Sequence, residues 1–142
     1  MDKKIVVLAL ALSLGIFILL FSYTFFGGYI KREPDFDISA NPQSLILNSY
    51  KGSSNQTIIT LGSINGFEGD ITLSVSRSLG VIGDVRVDLD FYQVHLPANG
   101  QVTVRLALYV TTAIAPGDYD VQVFANASDF NHSISVSIHV PE

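Results

Sequence analysis

From Phe36 to Val140, apolar side chains return at every second position, and that period of 2 belongs to strands that bury one face and wet the other. Phe36, Ile38 and Ala40 open the pattern, and Leu45 and Leu47 follow the Asn41-Pro42 turn. Ile59 and Leu61 lie in a Thr-rich run; Ile71, Leu73 and Val75 come next; then Val85, Val87, Leu89 and Phe91 alternate with Arg86, Asp88 and Asp90. Val102, Val104, Leu106, Leu108 and Val110 make the longest run, Tyr119, Val121 and Val123 continue, and Ile134, Val136, Ile138 and Val140 close it. Turn residues separate these runs at Lys51-Gly52-Ser53-Ser54, Asn65-Gly66, Leu79-Gly80, Asn99-Gly100 and Pro116-Gly117-Asp118. The expectation is an all-β domain, an antiparallel sandwich of seven to eight strands over residues 36–142. An eight-stranded barrel is the competing arrangement, but the chain is short for one and has no run of small inward residues to leave a ligand cavity.

Ahead of the strands stands a run of 26 residues, Ile5 to Ile30, without one charge. Its first 22 positions would span roughly 33 Å as a helix, enough for a hydrocarbon core of about 30 Å. Fifteen of those 22 are Leu, Ile, Val or Phe, which favour insertion by about 4 to 9 kcal/mol. Tyr23, Phe25, Phe26 and Tyr29 cluster at the far end, as aromatics do at a membrane–water interface, and Gly27-Gly28 offers a place for the helix to end. Residues 1–30 therefore read as an N-terminal transmembrane α-helix, with the lipid bilayer as its partner, and 31–35 as a linker broken by Pro34. A cleaved signal peptide is the alternative; its apolar stretch is shorter and ends in small residues, where this chain has Phe25 and Phe26.

Lys3 and Lys4 favour a cytoplasmic start, and Lys31 and Arg32 oppose it. Three N-x-[ST] sequons, at Asn55, Asn126 and Asn131, incline the balance toward export of the strand-rich part and make those asparagines the glycosylation candidates. The expected location is the plasma membrane, crossed once, with the N-terminus cytoplasmic and the sandwich extracytoplasmic. Ser13, Gly15 and the glycine pair would also permit close helix association, though no G-x-x-x-G is present.

Residues 33–142 hold 12 acids and 4 bases. Such a domain is a poor partner for nucleic acid, because nothing neutralises phosphates. The chain has no cysteine, so stability comes from packing rather than a disulfide framework.

The inventory for chemistry is thin. His95, His132 and His139 are far apart, none at ligand spacing from another, and His139 falls on the polar phase of its strand. No G-x-S-x-G elbow occurs. The expectation is a protein that is not an enzyme and needs no cofactor or small-molecule substrate. Asp84, Asp88 and Asp90 form a weak calcium candidate, with Asp118, Asp120 and Asp129 elsewhere, but their spacing matches no EF-hand loop. Tyr119, just after Pro116-Gly117-Asp118, stands where immunoglobulin-like folds carry a tyrosine corner.

Four fragments in order complete the reading: Asp35-Phe36-Asp37-Ile38-Ser39-Ala40-Asn41-Pro42; Asn65 to Leu73 (NGFEGDITL); Leu96-Pro97-Ala98-Asn99-Gly100; and Ala115-Pro116-Gly117-Asp118-Tyr119. The set resembles the immunoglobulin-like repeat of archaeal and bacterial cell-surface proteins, over essentially all of residues 35 to 140. The stretch from Arg77 to Tyr92 departs from it, being charged and strand-like where the repeat carries a short Gly/Pro-containing link. The resemblance implies a fold and a surface location, not an activity. The leading expectation is a domain making protein or glycan contacts at the cell surface, with a protein partner in the membrane or the cell-wall layer. The alternatives are an accessory subunit of a larger membrane complex, and a pilin or archaellum-stator-like component; Lys3-Lys4-Ile5 lacks the small residue of a pilin processing site.

Overall fold

A computed structural model describes residues 32–77 and 85–142. The transmembrane helix expected over residues 1–30 lies outside the described residues, as do the Leu79-Gly80 turn and Asp84. Among the described residues no helix is long and apolar enough to cross a membrane.

Nine strands are present among the described residues: β1 (Asp35–Asn41), β2 (Ser44–Ile46), β3 (Ser54–Ile64), β4 (Gly69–Arg77), β5 (Val85–Leu89), β6 (Gln93–Leu96), β7 (Gln101–Val110), β8 (Gly117–Asn126) and β9 (Asn131–Val140). They form two sheets, β1-β3-β7-β5 and β2-β9-β8-β4-β6, so the fold is a sandwich and not a closed barrel. The period-2 pattern becomes the core directly. Ile59 and Leu61 of β3 and Leu106 and Leu108 of β7 face Ile71 of β4, Val121 and Val123 of β8 and Val136 of β9, all at 0% exposure.

Two expectations need correcting. The count exceeds seven to eight because β6 is a separate strand: the run from Val85 through Phe91 ends as a strand at Leu89, and a second begins at Gln93. Phe91 is 58% exposed rather than inward, since the chain is by then turning from one sheet to the other. The sandwich is also not wholly antiparallel. β2 runs parallel to β9, pairing Leu45 with Ile138, because the chain leaves β1 at Asn41 and joins the opposite sheet.

The turns explain how strands change sheets. Asn65 and Gly66 have φ of 53° and 77°, and Phe67 N donates to Ile64 O at 3.2 Å. Positive φ at both central residues is the type I′ geometry that Asn-Gly favours. It delivers Phe67 into the core, where its ring meets Phe36 at 5.3 Å and Phe130 at 5.9 Å. Among the described residues every buried side-chain nitrogen and oxygen has a hydrogen-bond partner. Thr57 Oγ1, for example, donates to Pro42 O at 2.6 Å and ties the switch between β1 and β2 to β3.

Candidate functional site

The residues singled out from the sequence lie apart on the fold. Tyr119 sits at the start of β8, half-buried, and its Oη donates to Ala115 O at 2.8 Å. That is the bond a tyrosine corner makes. Gly117, with φ of 150°, lets the chain fold back under the ring: a Cβ there would lie 3.7 Å from the phenolic oxygen.

Asp88 and Asp90 do not converge. Asp88 on β5 pairs with Arg86 of the same strand. Asp90 Oδ1 accepts from Arg105 N at 2.8 Å, taking the place of a ladder carbonyl where β5 ends. Among the described residues no three His, Asp or Glu side chains come together to hold a metal ion.

The sequons divide into two kinds. Asn55 lies on β3, with Nδ2 donating to Ile46 O at 2.8 Å and Oδ1 accepting from Gln56 N at 2.8 Å. Asn126 and Asn131 lie at the turn end of the β8–β9 hairpin, paired across the ladder and both exposed.

Sequence reasoning missed the histidines' partners: each faces an aspartate on another strand. His95 Nδ1 lies 2.9 Å from Asp70 Oδ1, joining β6 to β4. His139 Nδ1 lies 2.6 Å from Asp118 Oδ1, joining β9 to β8. His132 Nε2 lies 2.8 Å from Asp35 Oδ1, joining β9 to β1 across the two sheets, and its ring stands edge-on to Phe36 at 4.7 Å. The separations of 25, 21 and 97 residues leave no mark in the sequence, although two of the pairs are register partners in the ladder. The hydrogen bond to Asp70, with its charge and that of Glu68, raises the His95 pKa against a smaller effect of desolvation. The bond to His132 lowers the Asp35 carboxyl, also against desolvation. A catalytic His–Asp pair presents the imidazole's other nitrogen to a nucleophile. At His95 that nitrogen faces a second acid, Glu68, at 3.7 Å, so the arrangement suits a clasp between strands.

Two surface features remain. A shallow groove of about 420 Å³ crosses the outer face of the first sheet, lined by polar groups including Asp37, Ser39, Thr60, Asn99 and Gln101. Gly62 forms part of its floor, and the Asp37 carboxylate lies over it in space a side chain would fill. At the turn between β5 and β6, Phe91 and Tyr92 are 58% and 51% exposed.

No protein-family model matches the sequence, and no curated protein matches it. Solved structures do resemble it in fold. Domains 4 and 5 of the S-layer protein SbsC superpose with a TM-score of 0.53 at 14% identity, over 79% of this chain and 55% of that one. A family 123 glycoside hydrolase from Clostridium perfringens gives 0.56 at 9% identity, over 77% of this chain and 27% of the enzyme. A FixG-related protein from Vibrio parahaemolyticus gives 0.52 at 7% identity, over 77% of this chain and 97% of that one. This chain thus spans about half of the S-layer fragment and about a quarter of the hydrolase. At these identities the likeness is one of fold, a β-sandwich.

Proposed function

We propose that this chain is a non-enzymatic, single-pass membrane protein that presents an immunoglobulin-like domain outside the cell for protein or glycan contacts. The observation that carries the reading is the join between its two parts. β1 begins at Asp35, only five residues after the uncharged run ends at Ile30. A linker of five residues reaches only about 17 Å. A domain so tethered works beside the bilayer, on a neighbour in the membrane or in the layer just above it.

The immunoglobulin-like assignment rests on sheet order. β1, β3, β7 and β5 occupy the places of strands A, B, E and D, and β9, β8 and β4 those of G, F and C. Tyr119 then falls at the start of strand F, the place of the tyrosine corner. The departure is local: β5 joins the first sheet before β6 returns to pair with β4.

The accessory-subunit reading draws on the exposed Phe91 and Tyr92, adjacent aromatics of the type that anchors protein interfaces. A pull-down of the full-length protein in mild detergent, with mass spectrometry of what accompanies it, separates the two. Stoichiometric membrane partners, lost on Phe91→Ser with Tyr92→Ser, would favour the subunit. Recovery alone or with cell-wall protein favours the surface module. Labelling of intact cells with a membrane-impermeant maleimide tests the orientation: the chain has no cysteine, so Glu142→Cys, at an exposed position beyond β9, gives a single reactive site. Absence of labelling in intact cells, with labelling after lysis, would overturn the extracytoplasmic placement.

A further inference from the structure

The fold separates three sequons that look alike in sequence. Asn55 is committed: the Nδ2 atom to which a sugar would be attached donates to Ile46 O across the gap between β3 and β2. Asn126 and Asn131 are exposed and stand opposite one another on the outer face of the second sheet. Side chains so paired have Cβ atoms about 4.5–5.5 Å apart, which is about the width of one sugar ring. A glycan on either asparagine therefore fills the space above the other.

Phe124 breaks the symmetry. It lies two residues before Asn126 on β8, hence on the same face of the strand, while Val123 and Ala125 point into the core. Its cross-strand neighbours are Ser74 on β4 and Ser133 on β9, both too short to cover an aromatic ring. The ring is half-buried and lies outside the packed core. A sugar joined to Asn126 can lay its C–H face on this ring and remove apolar surface from water.

We propose that Asn126 is the N-glycosylated residue of this chain, that Phe124 is the platform for its first sugar, and that Asn131 and Asn55 stay unmodified. The inference rests on the extracytoplasmic placement proposed above. The donor is an oligosaccharide joined through C1 to a lipid phosphate, with a membrane transferase as catalyst. The Nδ2–C1 bond forms as the C1–O bond to the lipid phosphate breaks. The phosphate leaves with the bonding electron pair, and one Nδ2 proton passes to a base of the transferase. Ser128, the hydroxyl member of the sequon, is exposed at the hairpin tip.

Tryptic cleavage makes the test direct. No Lys or Arg follows Arg105, so one peptide, 106–142, carries both Asn126 and Asn131, and Asn55 falls in 52–77. Glycopeptide mass spectrometry of the full-length protein from its native membrane should find one glycan on 106–142, at Asn126, and none on 52–77. Two glycans on 106–142, a glycan at Asn131 or Asn55, or an unmodified chain would each overturn the proposal. The Glu142→Cys labelling above tells the failures apart: a labelled but unglycosylated protein sinks this inference alone, and an unlabelled one sinks the placement beneath it. The platform has its own readout. The glycosylated protein should melt a few degrees above Asn126→Gln, and Phe124→Ser should abolish that gap. A gap of equal size without the ring would remove Phe124 from the account.

Discussion

β7 and the segment from Val85 to Leu96 begin on the same alternation but hold opposite places in the fold. β7 is ten residues long with neighbours on both sides, β3 and β5, and its Leu106 and Leu108 are wholly buried. The other segment is cut in two. Its first five residues pair with β7 and its last four with β4, each at the edge of a different sheet. The cut falls at Asp90, whose carboxylate takes the Arg105 N–H, and at Phe91 and Tyr92, which turn outward. A period of 2 thus specifies which face of a strand is buried. The choice of sheet is made by the residues that interrupt the period.

Substitutions at matched positions test this contrast. Leu106→Ala, at the centre of β7, should cost about 2–5 kcal/mol of unfolding free energy in urea, through lost burial and the cavity left behind. Val87→Ala, inward on edge strand β5, should cost about 1–2 kcal/mol, because fewer methyl groups are lost beside a more yielding edge. Equal losses at the two sites would break the comparison. Asp90→Ala should cost about 1 kcal/mol through the hydrogen bond to Arg105 N, and hydrogen exchange should show β5 amides opening while those of β7 stay protected. Global opening of both would show that the interruption is not a local device.

The smallest effect is one of pH. The His95–Asp70 clasp ties β6 to β4, and the raised His95 pKa means its contribution is fully present below the ordinary value of 6.5 and is lost as pH rises through the folded value. Asp35 behaves in the opposite sense: its lowered pKa means that the His132 bond contributes above 3.8 and is lost as pH falls through the folded value. Melting curves from pH 5 to 9 should decline slightly more for the wild type than for His95→Gln. Identical slopes would remove the clasp from the edge strand's support.

The same contrast explains what the sequence discloses. β3, β4, β7, β8 and β9 are legible because each is a long run with one dry face. β6 is hidden, because four residues of which Leu96 alone is fully buried carry no period. The parallel pairing of β2 is hidden as well, since Leu45 and Leu47 alternate identically whichever sheet they join. The sequons at Asn55, Asn126 and Asn131 are visible as triplets, but their difference lies in a hydrogen bond to Ile46 O and in the register that sets Asn126 against Asn131. Tyr119 is the exception: its partner, Ala115, is four residues away, so a local motif specified a local bond.

The switch between β1 and β2 has a mechanical consequence. Only Pro42 and Gln43 separate a strand of one sheet from a strand of the other, and His132 clips Asp35 to the second sheet at the far end of β1. Tension arriving along the chain at Asp35 is therefore divided between both layers of the sandwich. To peel the first strand away, a pull must break the seven-residue ladder to β3 and, beyond it, the parallel pairing with β9. A tether stitched through both layers resists unravelling in a way that an edge strand confined to one sheet does not.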